Sequence, residues 1–383
     1  MMEHVLLIGI GGVYNYGCEA IVRGTVEILR EVNPQMQIAY ASYNYEEDKR
    51  RLEDCDIKII PRFHVKKWSL ANIIRKSLSY VGIYYSLPFD KTGWLDGFDT
   101  VFSIGGDMYT LSSQNRFDTS LPTFLHKCQT KGLKYILWGA SVGKFEKNPK
   151  ALKFFSKHLP KIDLIVAREN NTVEYLYSLG VGENCELAPD PAFFVKNPTK
   201  KISSHTGTVI GINLSPLSAL YEYADLEVAV QRQSEALARL IDAMQCHLLL
   251  LPHVLSPYMN DNDLSYMRLI YAKMPKEYQS RTQIVESDPG FVGIKNFICQ
   301  CDFVIAARMH CAINAITMSV PTLFLSYSEK AKGMAEFVYG TKEAVIGLTE
   351  FENTTAVVNK LKNWKYTSRL DEIQKFDFTK ILK

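Results

Sequence analysis

Two doubly wound α/β domains are the fold class this sequence predicts, and three observations predict it. Short apolar runs alternate with helical patterns along nearly the whole chain. Those runs are mostly continuous rather than alternating polar and apolar, which suits parallel strands covered by helices on both faces. A length of 383 residues exceeds one ordinary domain and gives each of two domains enough chain for a core.

In the first half, strands are predicted at residues 5–10, 37–41, 100–104, 135–138 and 164–167. In the second half they fall at 208–213, 247–251, 303–307 and 322–326. Residues 19–31, 227–244 and 311–319 carry the period of crossover helices. Residues 196–204 are polar, contain Pro198 and lack periodic apolar positions, as a linker does. The predicted domains are therefore 1–196 and 205–350, two Rossmann-like folds facing a cleft, followed by a helical tail over 351–383. Within that tail, residues 354–364 read as a helix expected to pack back on the first domain.

Composition excludes several classes of function. A formal charge of +3 and the absence of a Lys/Arg block argue against nucleic acid. The eight cysteines are scattered and form no CxxC pair or Cys/His array with zinc spacing, so neither a metal site nor a disulfide framework is expected. The N-terminus lacks a basic start and a long apolar run, and no stretch reaches the roughly 20 apolar residues of a membrane span. A cytoplasmic protein with reduced thiols is the expectation.

One segment, from Lys66 to Tyr85, has a different character. Leu70, Ile73, Ile74 and Leu78 share a helical face, with Lys66, Lys67, Arg75 and Lys76 around it and Trp68, Tyr80, Tyr84 and Tyr85 as aromatic flanks. A basic amphipathic helix of this kind lies in a membrane interface. The commoner alternative is a surface helix packed on its own sheet.

Ligands of open parallel sheets bind beyond the carboxyl ends of strands, so residues just after the predicted strands carry the functional argument. After the first strand, Gly9-Ile10-Gly11-Gly12-Val13-Tyr14-Asn15-Tyr16-Gly17-Cys18-Glu19-Ala20 is a Gly-rich turn whose third glycine is displaced from the dinucleotide spacing. Gly105-Gly106-Asp107 and Gly139-Ala140-Ser141-Val142-Gly143 follow two further strands, and Arg168-Glu169 a fourth. Arg168 could meet an anion or form a salt bridge with its neighbours. In the second half a strand runs into Pro252-His253-Val254, and another into Arg308-Met309-His310 at the opening of a helix. Tyr327 and Lys330 follow the next strand. Arg308, His310 and Lys330 at one sheet edge, with a helix N-terminus adding positive potential, make a site for a small, multiply charged anion.

These residues resemble the polysaccharide pyruvyl transferase family. The matching pieces are Asn15-Tyr16-Gly17 with Glu19-Ala20, Gly105-Gly106-Asp107, Ser141-Val142-Gly143, Arg168-Glu169, Asp190-Pro191-Ala192-Phe193, Gly211-Ile212-Asn213, Pro252-His253-Val254, Arg308-Met309-His310, and Tyr327 with Lys330. They occur in order over about residues 5–335. Cys18, Ala140 and Lys144 depart from the family's usual residues. The resemblance implies a glycosyltransferase-B-like fold, phosphoenolpyruvate as donor, and a sugar acceptor on a surface polysaccharide (capsule or exopolysaccharide) or its polyprenyl-diphosphate-linked precursor. It implies His310 and Arg308 as catalytic residues. Arg168, Lys330, His253 and Tyr327 would bind the donor. Asn15, Gly17, Glu19, Gly106, Asp107 and Ser141 would line the acceptor side. No cofactor or metal is implied; phosphoenolpyruvate is a co-substrate.

On this reading His310, as imidazolium, protonates the methylene carbon of phosphoenolpyruvate and a sugar hydroxyl attacks the resulting cation. An acid must offset the cations around the histidine, and Glu169, Asp107 and Asp190 are the candidates. Two rivals remain: a nucleotide-sugar glycosyltransferase on the same fold, and a non-catalytic scaffold of a capsule assembly complex.

Overall fold

The computed structural model describes residues 2–62, 68–80, 94–112, 114–117, 120–198, 207–326 and 329–382. Of the predicted linker, residues 199–204 lie outside the described residues, as do Lys66, Lys67, Tyr84, Tyr85 and Tyr327.

The chain divides into two compact units. The first comprises residues 1–13, 21–191 and 376–383, and the second residues 14–20 and 192–375. Strands of the first unit are β1 (His4–Ile8), β2 (Gln37–Ser42), β3 (Lys58–Pro61), β4 (Thr100–Ile104), β5 (Lys134–Ala140), β6 (Leu164–Ala167) and β7 (Cys185–Leu187). They form one sheet in the order β3-β2-β1-β4-β5-β6-β7, all pairings parallel. Strands of the second unit are β8 (Val209–Asn213), β9 (His247–Leu250), β10 (Thr282–Ile284), β11 (Phe303–Ala306), β12 (Thr322–Ser326) and β13 (Val345–Gly347). Their order is β10-β9-β8-β11-β12-β13, again parallel throughout. Each sheet starts at its centre, grows to one edge, then crosses to the other side, which is the doubly wound order.

All nine predicted strands are present. The four that were not predicted are β3, β7, β10 and β13, and these are the four sheet edges. The reason is physical: β1, β4, β8 and β12 are buried almost end to end, whereas β7, β10 and β13 have three residues each and bury one. A strand covered on both faces needs a continuous apolar run, and an edge strand does not.

Three corrections to the predicted domains follow. Residues 14–20 belong to the second unit because Tyr16 and Ala20 bury in its core with Phe291, Ile294 and Cys311. The Thr354–Lys362 helix also belongs there, not on the first domain: Val357 and Leu361 pack in a core cluster with Leu237, Leu240 and Ile241. The tail is not a separate body either, since residues 376–383 group with the first unit, where Phe378 meets Trp138 at 5.6 Å between ring centroids.

Candidate functional site

In a doubly wound sheet the ligand crevice opens where the strand order reverses. In the second unit that point lies between β8 and β11, and the residues around it are joined into one network. The Asn213 side chain, at the end of β8, accepts from the Arg308 backbone N–H at 2.8 Å. Its amide donates to the Leu251 carbonyl at 2.8 Å and to Asp263 at 3.3 Å. Asp263 is fully buried and accepts the Arg308 guanidinium at 2.8 Å, and the N–H groups of His253 and Val254 at 3.1 and 3.2 Å. Arg308 also reaches Asp261 at 2.7 Å. Burial pushes the Asp263 carboxyl up, and the Arg308 guanidinium opposes it. Burial alone would lower Arg308, but the two carboxylates more than offset this and hold it above its ordinary value. Arg308 is thus an anchored strut with a side chain 16% exposed.

What the strut fixes is the start of the Met309–Thr317 helix, of which Arg308 is the N-cap. Residues 311–317 are all buried, so the helix cannot rotate without exposing its core face. His310 sits in the first turn, where the helix dipole favours an anion. Its imidazole lies against Gly17: a Cβ there would meet the His310 Cγ at 2.8 Å, and the Asn15 Oδ1 at 3.1 Å. Asn15 Oδ1 in turn accepts from the Gly17 N–H at 2.9 Å. An antiparallel bridge pairs Asn15 with Val254, and the Tyr16 N–H donates to the His253 carbonyl. Asn15-Tyr16-Gly17 is therefore a cradle for His310 within the second unit, which corrects its placement in the first domain. Glu19, one turn on, is buried and accepts from the Phe291 N–H at 2.9 Å.

His253 does not have the character of a donor ligand. It is buried, and burial pushes its imidazole down to about 3, so it is neutral at ordinary pH. Nδ1 lies 3.2 Å from the Leu251 carbonyl and donates to it; Nε2, 3.5 Å from the Asn314 amide, is then the acceptor. Its backbone N–H, donated to Asp263, joins this segment to the loop that carries Asp261 and Asp263. Lys330 is the second residue of the Glu329–Tyr339 helix, which follows β12, the strand beside β11.

The first unit has a separate cluster, centred on Arg168 at the end of β6. Its side chain is 2% exposed and donates to Asp190 at 2.8 Å and to Ser141 Oγ at 3.0 Å. Asp107 lies at 3.6 Å. The guanidinium covers Gly106 so closely that a Cβ there would come within 2.6 Å of its Cζ. The Ser141 N–H donates to the Gly106 carbonyl at 2.7 Å. Burial would lower Arg168, and Asp190, Asp107 and Glu169 raise it on balance. Gly106, Asp107 and Ser141 are thus brought together, but around an arginine already paired. Of the acids considered for His310, Asp190 and Asp107 turn to Arg168, while Glu169 accepts from Thr172 Oγ1 at 3.1 Å.

Sequence reasoning missed Asp261, Asp263 and the role of Asn213. The only signal was the polar run Asn260-Asp261-Asn262-Asp263, which read as an ordinary loop.

The two parallel, doubly wound sheets define an α/β protein with a glycosyltransferase-B-like fold. The family profile of polysaccharide pyruvyl transferases matches residues 15–329, and the chain belongs to that family. It is therefore an enzyme, a transferase of polysaccharide biosynthesis. Among curated proteins no sequence matches it. Similar solved structures include a putative UDP-N-acetylglucosamine 2-epimerase from Listeria monocytogenes, with 14% identity, TM-score 0.59, and coverage of 99% of this chain and 93% of that one. The UDP-GlcNAc 2-epimerase from Methanocaldococcus jannaschii gives 10% identity, TM-score 0.59 and 97% of both chains. HepE of Anabaena, in complex with UDP and glucose, gives 11% identity, TM-score 0.57, and 100% and 97% coverage. At these identities the likeness concerns the fold alone.

Proposed function

We propose that the enzyme transfers pyruvate from phosphoenolpyruvate onto two hydroxyls of a sugar, forming a cyclic ketal on a surface polysaccharide of the capsule or exopolysaccharide kind. The observation that carries this reading is the setting of His310: the first turn of a helix locked by Arg308, against a glycine that leaves room for its ring.

In the proposed reaction His310 gives a proton to the methylene carbon, and C2 becomes an oxocarbenium-like centre. A sugar hydroxyl adds to C2, the C2–O bond to phosphate breaks, and a second hydroxyl closes the ketal. Of the two hydroxyl protons, one replaces that now in the methyl group and the other leaves on phosphate. The helix N-terminus and Lys330 stabilise the anionic donor. Arg308 acts as a positioning residue, and its carboxylate partners keep the local positive charge in check.

The acceptor in this reading rides on polyprenyl diphosphate, and the enzyme works at the inner face of the cytoplasmic membrane. The Leu70–Tyr80 helix supports this. Among the described residues no helix is long and apolar enough to cross a membrane, but Leu70, Ile73 and Ile74 on this helix are exposed and Trp68 is 81% exposed. Between Asp56 and Asp90 the sequence has no acid and six Lys or Arg. Exposed apolar side chains in a basic setting suit an anionic lipid surface.

Purified enzyme with phosphoenolpyruvate and a panel of methyl glycosides tests the donor. Acceptor-dependent phosphate release, and thermal stabilisation by phosphoenolpyruvate, are the expected results. Stabilisation by UDP- or GDP-sugars with no phosphate release would favour a nucleotide-sugar glycosyltransferase instead.

A further inference from the structure

The second unit exposes an apolar and aromatic surface that nothing in the catalytic scheme uses. The Pro216–Glu222 helix, which follows β8, buries Ser218 and Ala219 but turns Leu217, Leu220 and Tyr221 outward. That i, i+3, i+4 spacing makes one stripe along the outer face. Beside this helix lies the short turn Met259–Asp261, whose Met259 is exposed and whose preceding Tyr258 is 71% exposed. Isolated exposed apolar residues are ordinary, but five in two adjoining elements form a patch that marks an interaction site.

Three features say what covers it. First, the patch joins the reaction centre through bonds already described. Asp261, the last residue of the turn, holds Arg308, and Asn213, at the root of the helix, accepts from the Arg308 backbone. Tyr14, beside the His310 cradle, hydrogen-bonds Ser256 and lies within electrostatic reach of Tyr258 and Asp261. Second, the chain leaving the patch is acidic at its rim: exposed Glu222 adjoins Tyr221, and exposed Asp225 and Glu227 open the helix that follows. Such a rim repels anionic lipid and nucleic acid, whereas carboxylates accept hydrogen bonds from hydroxyls. Third, tyrosine joins an apolar ring face to a polar tip, and so meets a surface that is itself apolar on one side and hydroxylated at its edge. A pyranose ring is such a surface.

We propose that Tyr221 and Tyr258 form the platform on which the acceptor glycan lies as it approaches His310. This deepens the pyruvyl-transfer reading, because it assigns an acceptor side to residues of the same unit as the proposed proton donor. It also supplies what Gly106, Asp107 and Ser141 do not, since those are engaged around Arg168.

The test compares wild-type enzyme with Tyr221→Ala/Tyr258→Ala and Tyr221→Phe/Tyr258→Phe. Binding of methyl glycosides of glucose, galactose, mannose and N-acetylglucosamine is read by saturation-transfer NMR. Phosphoenolpyruvate binding is read separately by thermal shift. At least one glycoside should bind wild type, bind the Ala pair about tenfold or more weakly, about 1.4 kcal/mol per factor of ten, and bind the Phe pair nearly as well as wild type. The phosphoenolpyruvate shift should be the same in all three. Equal glycoside binding by the Ala pair, or none by wild type, would overturn the platform. So would a change in oligomeric mass on light scattering, because the patch would then be a contact between copies. Glycoside binding lost in the Ala pair, with no phosphoenolpyruvate shift in wild type, would sink the donor reading and leave the platform standing.

Discussion

Two arginines each follow a buried strand, one in each sheet, and have opposite surroundings. Arg168 follows β6 and Arg308 follows β11, and each is paired with two aspartates. Arg168 is closed over by Gly106, Ser141 and Asp190, so its charge is spent inside its own unit. Arg308 is paired from one side by Asp261 and Asp263, and its backbone opens the helix that carries His310. The first is a rivet. The second, in the proposed reaction, positions His310. Sequence context alone, an arginine just after a buried strand, does not tell them apart; the partners do.

That contrast can be broken most forcefully at His310. His310→Gln should cost about 10²–10⁴-fold in turnover, the range for a lost general acid, with little change in Tm. Turnover near wild type would remove the histidine from the acid role. Next come the arginines. Arg168→Met takes the guanidinium away from the buried Asp190 and should destabilise by about 3–5 kcal/mol, read as a shift of the urea midpoint. Arg308→Met should destabilise comparably through Asp263, and turnover per folded molecule should also fall. If Arg168→Met lowers turnover per folded molecule as much as Arg308→Met does, the distinction fails.

A smaller effect is expected at the cradle. Gly17→Ala places a methyl against the His310 ring, at a cost of about 1–3 kcal/mol for overpacking. Turnover should suffer more than stability. Gly106→Ala, which crowds Arg168, should do the reverse. Comparing kcat and urea midpoints for the two variants checks this.

A pH effect is shared by both units. Burial pushes His253 down to about 3 and His158, in the first unit, to about 4. Below the ordinary histidine value of about 6.5 the unfolded chain takes up protons that the folded chain refuses. The stability these neutral imidazoles contribute is complete above about pH 6.5. It is lost progressively as pH falls through the window down to about 4 for His158 and about 3 for His253. Urea midpoints measured across that window should fall with acid, and less steeply in His158→Phe. A flat profile in wild type would contradict the assignment of both histidines as neutral.

The contrast between units also shows what the sequence disclosed. Interior strands were legible because burial on both faces demands an unbroken apolar run, as in Val5-Leu6-Leu7-Ile8 and Leu323-Phe324-Leu325. Edge strands such as Lys58–Pro61 and Val345–Gly347 were not, because one covered side leaves no such signature. His310 and Arg308 were legible from position, at a strand end opening a helix. Their dependence on Asp263, Asn213 and Gly17 was not, since those contacts join residues far apart in the chain and no local pattern encodes them. Residues 14–20 followed β1 and so read as part of the first domain. The burial of Tyr16 and Ala20 and the bridge from Asn15 to Val254 reveal their allegiance to the second.

The most direct measurement follows the proton. Wild type and His310→Gln are incubated with phosphoenolpyruvate and an accepted glycoside in deuterated water. Phosphate release and the mass of the glycoside product are then read together. Wild type should release phosphate and yield a pyruvate ketal whose methyl group carries one deuterium, while His310→Gln, folded to the same Tm, yields both about 10²–10⁴-fold more slowly. Ketal formed by His310→Gln at the wild-type rate would contradict the account.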